Sequence, residues 1–395
     1  MKKIIKIEEL QKCPCFNLRF MARELTNKYN DALKYSEINS TQIPILAILN
    51  IYGQMETSKI ANLLNLEIST LRRNLSILIR IFSYSILALT LVFLVNNILT
   101  VWFEWPGVKK LFAHYELFGF KKLNKPLGVL AINLSYIQLL FYFVSLIGVI
   151  FFVLKSIKQT LQTDSEILTK ITAYIVRSSF WAVLIVGVAD FLISFMVVEK
   201  LVEPIFGEQL KINLVIPAFR ITYIHFPLIL ASFVIGYFTR SVGFIWLAVL
   251  VVGSEFLIVL SRFIFQYEQA FQGDLVRFWY AALYLFASAY ALIHEGHVRV
   301  DVLYTGFSER KKAWTNAIGS LILGIPLCLI VIFLGMGGKA SIINGPVISF
   351  EITQQGSNGL YLLYLMAVYL AVFAVTMLTQ FTSFFMSSSH KLLKN

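Results

Sequence analysis

The sequence predicts an all-α, polytopic membrane helix bundle with a small helical segment at its N-terminus. Of its 395 residues, 58% are hydrophobic and only 14% are charged, a composition far from that of soluble proteins. From residue 81 onward, apolar runs follow one another, each near or above the ~20 residues that cross a bilayer core. Because the backbone must satisfy its own hydrogen bonds in lipid, and the runs are too long for barrel strands, each is predicted to be a helix.

Eight membrane spans are predicted from these runs. They cover residues 81–103, 127–154, 173–197, 218–238, 242–265, 275–293, 316–337 and 359–385. The second and the last exceed the bilayer thickness, which indicates tilt or an interfacial portion. We therefore predict three regions: a helical cytoplasmic segment over residues 1–80, four spans over 81–240, and a four-helix membrane unit over 241–395.

The positions of Lys and Arg predict how the spans are oriented, because short cytoplasmic loops carry an excess of both. With both termini in the cytoplasm, the basic run 310–312 lies on the inner side, and the loops 266–274 and 338–358 on the outer side hold only Lys339. The loop 104–126, with five lysines, disagrees with this orientation. The net charge of +12 is thus a feature of topology. It indicates anionic lipid as a partner, and nucleic acid is not expected.

Residues 1–80 are polar and are predicted to form short helices. Residues 57–66 and 70–80 form two of them, joined by a turn, with Ser69 as the cap of the second. This is a helix-turn-helix pattern, and its second helix has the side chains for phosphate and base contact in Arg72, Arg73 and Asn74.

The segment resembles the N-terminal half of MarR-type winged-helix regulators. The resemblance rests on Thr41-Gln-Ile-Pro-Ile-Leu-Ala, Ile60-Ala-Asn-Leu-Leu and Thr70-Leu-Arg-Arg-Asn-Leu, together with the Cys13-Pro-Cys-Phe-Asn-Leu-Arg run. It ends near Arg80, where the wing and the dimerisation helices of that family are missing. A membrane-tethered DNA-binding regulator and a fusion remnant that forms a helical cap are both open.

Two carboxylates fall inside predicted spans, Asp190 in the third and Glu255 in the fifth. Intramembrane carboxylates are expensive and often functional, so an ion or proton relay in a stand-alone secondary transporter is one hypothesis. The favoured hypothesis is a structural polar contact, because no broken helix pair accompanies them. Glu255 and Arg262 lie two turns apart on one helix face. The sequence contains no phosphate-binding loop, zinc motif or dinucleotide fingerprint, so neither a cofactor nor an enzymatic activity is predicted.

The most ordered polar residues surround the sixth span. They are Arg262-Phe-Ile-Phe, Glu268, Asp274-Leu-Val-Arg277-Phe-Trp279 and His297-Val-Arg299-Val-Asp301-Val. We predict that Asp274 caps the sixth helix, that Trp279 is an interfacial anchor, and that Ser308 caps the helix after the basic hinge. Pro326 is predicted to kink the seventh span.

This stretch resembles the small membrane subunit, of DctQ type, of tripartite ATP-independent periplasmic (TRAP) transporters. The resemblance is carried by residues 262–334 and is expected to extend over about 171–385. It implies a scaffold that binds a large membrane subunit of DctM type, which holds the substrate and sodium sites. A periplasmic solute-binding protein of DctP type supplies a carboxylate-bearing solute. The residues to which the resemblance gives fold or interface roles are Arg262, Glu268, Asp274, Arg277, Trp279, His297, Arg299 and Asp301.

Overall fold

The structure, a computed structural model, describes residues 14–33, 42–53, 55, 57–64, 67–239, 244–267, 269–293, 304–352 and 359–394. Over these residues it is helical and contains no strand, which confirms the all-α prediction. Contacts divide the chain into two compact units. One comprises Met1–Phe82 with Gly148–Lys158, and the other Ser83–Ile147 with Gln159–Asn395.

The first unit holds three short helices and the start of a long one. They are α1 (Pro14–Ala32), α2 (Ile43–Tyr52), α3 (Thr57–Leu63) and the first part of α4 (Ile68–Trp102). Ile45 of α2, Ile60 and Ala61 of α3 and Leu71 of α4 form its small core. The two helices of the predicted helix-turn-helix therefore pack together, as amphipathic neighbours joined by a short turn do.

Two expectations for this region are wrong. The helix that was expected to end at Arg80 continues to Trp102, because residues 81–102 are apolar and contain no glycine or proline to stop it. Ser69 does not cap it, since the helix already begins at Ile68. Within the same unit, the buried Arg80 guanidinium donates to the backbone oxygen and the hydroxyl of Ser156, at 2.9 and 2.8 Å.

Eight helices among the described residues are long and apolar enough to cross a membrane, which confirms the number predicted. They are α4, α6 (Val129–Lys155), α7 (Leu161–Val198), α10 (Pro217–Phe238), α11 (Phe244–Ile264), α12 (Ala270–Ile293), α13 (Glu309–Gly335) and α15 (Leu363–Lys394). Four short helices lie between them: α5 (Val108–His114), α8 (Val202–Phe206), α9 (Glu208–Val215) and α14 (Asn344–Ile348). Ser308 caps α13 as predicted, its hydroxyl accepting from the Lys311 N–H.

The core of the second unit lies where α7, α12 and α15 meet. Val186 of α7, Phe278 and Phe286 of α12 and Tyr369 of α15 are all buried in one cluster. Helices on both sides of residue 240 thus share a single core. On α15 a second cluster continues against α13, where Gly324 lies so close to the Phe381 ring that a Cβ would fall 2.5 Å from it. Small residues permit this close approach of two helices.

Contacts within the second unit show which loops share one end of the bundle. Three of them are Glu104 with Lys339 at 3.2 Å, Glu199 with Tyr267 at 2.7 Å, and Val215 with Tyr361 at 2.9 Å. The segments 103–128, 199–216, 265–267, 336–352 and 359–362 therefore lie together. This agrees with successive helices that cross a membrane in opposite directions. We call this the clasp end. The lysine-rich loop 104–126 is part of it.

Two spans contain a π-helical segment that ends two residues before a proline. These are Ile221–His225 before Pro227 and Gly319–Gly324 before Pro326. A proline ring clashes with the carbonyl four residues earlier and offers no N–H, and a π-turn widens the backbone at that point. The disturbance predicted at Pro326 as a kink thus takes the form of a π-segment.

Candidate functional site

Five side chains meet at the clasp end and form what we call the Asp190 clasp: Asp190 of α7, Arg220 and His225 of α10, Tyr361, and Tyr364 of α15. Asp190 Oδ1 lies 2.9 Å from Arg220 Nε and 3.0 Å from His225 Nε2. Its Oδ2 accepts the backbone N–H of Tyr361 at 2.8 Å. His225 Nδ1 lies 3.0 Å from the Tyr364 hydroxyl. Asp190, Arg220 and His225 are at most 1% exposed, so the clasp is sealed within the bundle.

The π-segment of α10 brings Arg220 and His225 to the same carboxylate. Residues five apart in an α-helix point about 140° away from each other. In a π-helix, hydrogen bonds join residues i and i+5, so Arg220 and His225 share a face. Pro227, two residues after the end of the π-segment, favours this irregular backbone. The position of this proline in the sequence therefore contributes to the geometry of the clasp.

Hydrogen-bond chemistry assigns one donor in the clasp. A carboxylate only accepts, so His225 Nε2 donates to Asp190, and the Tyr364 hydroxyl is the hydrogen-bond partner of Nδ1. The charge of Asp190 is neutralised by Arg220, whose guanidinium also donates to Ser194 Oγ at 3.0 Å and lies 4.3 Å from the centre of the Tyr361 ring. An enclosed ion pair with further hydrogen bonds, as in this cluster, holds helices together.

A second buried carboxylate binds the residue next to Tyr361. Asp274 Oδ2 of α12 accepts the backbone N–H of Leu360 at 3.3 Å, and Asp274 is 2% exposed. Two carboxylates from different spans, Asp190 and Asp274, thus bind consecutive backbone amides where the chain enters α15. Arg277 lies 3.9 Å from Asp274 Oδ1 and keeps 58% of its side chain exposed.

The prediction that Asp274 caps the sixth helix is therefore wrong. α12 begins at Ala270, and Gln272 reaches back to accept the N–H of Gln269 at 3.3 Å, which is half of a capping box. Phe271 is fully buried and anchors this earlier turn to the core. Asp274 is left one turn inside the helix, where it faces the segment that precedes α15.

Two tyrosines outside the spans add hydrogen bonds at the clasp end. Burial raises the pKa of Tyr361, so its hydroxyl stays protonated and donates to the Val215 carbonyl at 2.9 Å. Burial and the hydrogen bond to Glu199 raise the pKa of Tyr267 to about 12. Both bonds therefore persist at any pH near neutrality and join loops that follow different spans.

Trp279 packs between helices and is not the interfacial anchor that was predicted. It is 6% exposed, and its indole N–H donates to the Val183 carbonyl of α7 at 3.3 Å. A Cβ on Gly187 would lie 2.8 Å from this nitrogen. Only a glycine at position 187 of α7 leaves room for the indole. Gly187 and Trp279 thus bring α7 and α12 close together.

The structure separates the other predicted residues. Glu255 and Arg262 are both exposed on α11. Glu268, His297, Arg299 and Asp301 lie outside the described residues, so their interface roles stay predictions. In the first unit Arg73 is exposed, Arg72 is half-buried and Asn74 is buried. DNA contact is untested for all three, although the burial of Asn74 is unfavourable to it.

Sequence reasoning found Asp190 but missed its partners. Arg220 and His225 lie in the first turns of α10. Charged residues near the end of a span do not by themselves indicate a site. The available signal was the combination of a cation, a histidine five residues later and a proline two residues after the histidine. Tyr361 and Tyr364 gave no signal among the 18 tyrosines of the chain.

Fold and site define a polytopic helical membrane protein whose buried polar groups join its spans. Residues 249–386 match the family model described as "Tripartite ATP-independent periplasmic transporters, DctQ component". The matched segment is about a third of the chain and covers most of α11, then α12, α13 and most of α15. This supports a DctQ-type permease domain there, and the family is that of a transporter component.

The other comparisons add no relatives. No curated protein and no solved structure matches the chain. The family match begins at residue 249, so it supports neither the expected extension of the resemblance to residue 171 nor the MarR-like resemblance of residues 1–80.

Proposed function

We propose that this protein is the small integral-membrane subunit of a sodium-coupled TRAP transporter for carboxylate-type solutes, and that it scaffolds the large membrane subunit. The match of residues 249–386 to the DctQ component carries the proposal. The matched spans pack in the order α11–α12–α15–α13, and α7 lies against α12 and α15. Such a bundle presents a broad outer surface to a partner in the bilayer.

The Asp190 clasp supports a holding role over transport by this chain alone. A coupled transporter places ion and substrate at discontinuous helices that line a cavity. In the clasp, Asp190 is already neutralised by Arg220 and receives two further donors. Solute and sodium would then bind to the large subunit, as the family resemblance implies, and a periplasmic binding protein would deliver the solute.

The proposed setting is a bacterial inner membrane with both termini in the cytoplasm. The clasp end then faces the periplasm, because the four loops that it contains follow the first, third, fifth and seventh spans. Its loop 104–126 carries five lysines on that side, against the usual bias. Two acidic partners lie there, Glu116 at 2.7 Å from Lys122 and Glu104 at 3.2 Å from Lys339.

Co-purification and transport test the proposal together. The chain carries an affinity tag and is expressed with a large membrane protein of DctM type and an exported binding protein of DctP type from the same organism. We expect the large protein to co-purify, and we expect sodium-driven uptake of radiolabelled organic acids into proteoliposomes only when all three components are present. Uptake by this chain alone would overturn the proposal, as would the absence of association.

A further inference from the structure

The span α11 is the least enclosed of the eight. Only 11% of the residues in its most apolar 18-residue stretch are buried, whereas 50% are buried in the corresponding stretch of α15. Leu247 and Ser254 face the core, while Val252 and Phe256 on other faces are 68% and 59% exposed. Most of the surface of α11 is therefore open to whatever surrounds the chain in the bilayer.

Glu255 lies on this open surface near the middle of α11. It is the twelfth of 21 residues, so it lies roughly 14–17 Å from either end of the helix, too far for its short side chain to reach the membrane surface. The residue is exposed, and within the described part of the chain its carboxylate has no ion pair or hydrogen bond. Carboxylates at this depth are costly and are paired with donors. The described residues supply no such donor, which leaves room for one from a partner.

We propose that a flank of α11, formed by Val252, Glu255 and Val259, binds a membrane-embedded helix of the large transporter subunit, and that this helix supplies a cation or an N–H or O–H donor to Glu255. We call these three residues the Glu255 flank. The inference rests on the proposed function and specifies the surface and the chemistry by which the partner is held. α11 lies within the segment matched to the DctQ component from residue 249 onward.

Charge complementarity favours this occupant over a second copy of the chain. Two copies inserted in the same orientation are related by an axis normal to the membrane, so equal depths meet. Glu255 would then face Glu255, which is repulsive. The nearest cation on α11, Arg262, is seven residues away, about 10 Å along the helix, and would face its own counterpart. A different protein with a donor at this depth fits the flank.

Variants of Glu255 test the chemistry of the flank in the full complex. The tagged chain is expressed with a large membrane protein of DctM type from the same organism, and the amount of that protein retained is measured. We expect Glu255→Leu to lower the apparent affinity by at least about tenfold, equivalent to about 1.4 kcal/mol, and Glu255→Gln, which keeps hydrogen-bonding capacity, to lower it less. Leu257→Val is the matched control, because Leu257 is also exposed but lies on the side of α11 opposite Glu255, and this variant is expected to retain the partner.

Cross-linking identifies the occupant without relying on affinity. A photo-activated amino acid replaces Val259 on the flank or, as control, Leu247 on the buried face. We expect an adduct with the large membrane protein from position 259 and an adduct within the chain from position 247. A dimer of this chain or lipid adducts alone from position 259 would overturn the inference, as would normal retention by Glu255→Leu.

The experiment separates this inference from the proposed function. If the unmodified chain does not retain the large membrane protein, the proposed function fails. If the unmodified chain retains it and Glu255→Leu does so equally well, only the flank fails. The melting temperature of each purified variant shows that the chain is folded.

Discussion

Asp190 and Glu255 are the same chemical group in two opposite settings. Both are carboxylates within apolar spans, and in the sequence they are equivalent candidates. Asp190 is fully buried and receives Arg220, His225 and the Tyr361 N–H. Glu255 is exposed on the least enclosed span. An intramembrane carboxylate thus has no role of its own, because the donors around it decide whether it joins helices within the chain or recognises a partner.

Removal of the Asp190 carboxylate is expected to have the largest effect on stability. In Asp190→Ala, the Arg220 charge stays buried without its partner, and breaking a buried ion pair in this way costs about 3–5 kcal/mol. Thermal unfolding of the purified chain in detergent measures the loss. Glu255→Ala is the matched control and should unfold close to the wild-type temperature. Equal effects of the two variants would contradict the comparison.

Replacement of both charges of the clasp sharpens this prediction. Asp190→Leu with Arg220→Met removes the unpaired charge as well as the pair, so the double variant should be more stable than either single variant. Buried ion pairs replaced by apolar residues of similar volume are often neutral. A double-mutant cycle of unfolding free energies gives the coupling, expected at about 0.5–3 kcal/mol. Additive losses would show that Asp190 and Arg220 act separately.

Two glycines of α13 show the same difference between a position that another helix covers and a position that is open. A Cβ on Gly324 would fall 2.5 Å from the Phe381 ring, whereas one on Gly319 would meet nothing within 4 Å. Gly324→Leu should cost about 1–3 kcal/mol through overpacking. Gly319→Leu should be tolerated. Unfolding of the two variants under the same conditions checks this, and a larger loss for Gly319→Leu would contradict the packing of α13 on α15.

The smallest effect is expected for Glu255→Leu in the chain without partners. The carboxylate makes no hydrogen bond or ion pair within the described chain that the variant can break. An apolar side chain suits the bilayer better than a charged carboxylate by up to about 2.5–3.5 kcal/mol. Its unfolding temperature in nanodiscs should equal or exceed that of the wild type. A loss comparable to that of Asp190→Ala would mean that Glu255 has a structural partner.

Much of the helix inventory was predictable because it depends on local chemistry. The eight spans followed from run length and hydropathy, and their predicted bounds differ from the structure mainly where helices extend beyond the apolar run, as α4 does before residue 81 and α15 after residue 385. Ser308 was predicted as a cap from its position alone. Asp274 and Trp279 were assigned wrongly, because each points at a segment distant in sequence.

The sequence by itself determined that this is an all-helical membrane protein with eight spans and a DctQ-like segment, since a chain in lipid must pair its backbone locally. Only the tertiary structure decided the surroundings of its carboxylates. The partners of Asp190 lie 30, 35 and 171 residues away, and the openness of α11 depends on which helices pack beside it. Such pairings arise from long-range packing, which hydropathy and spacing do not encode.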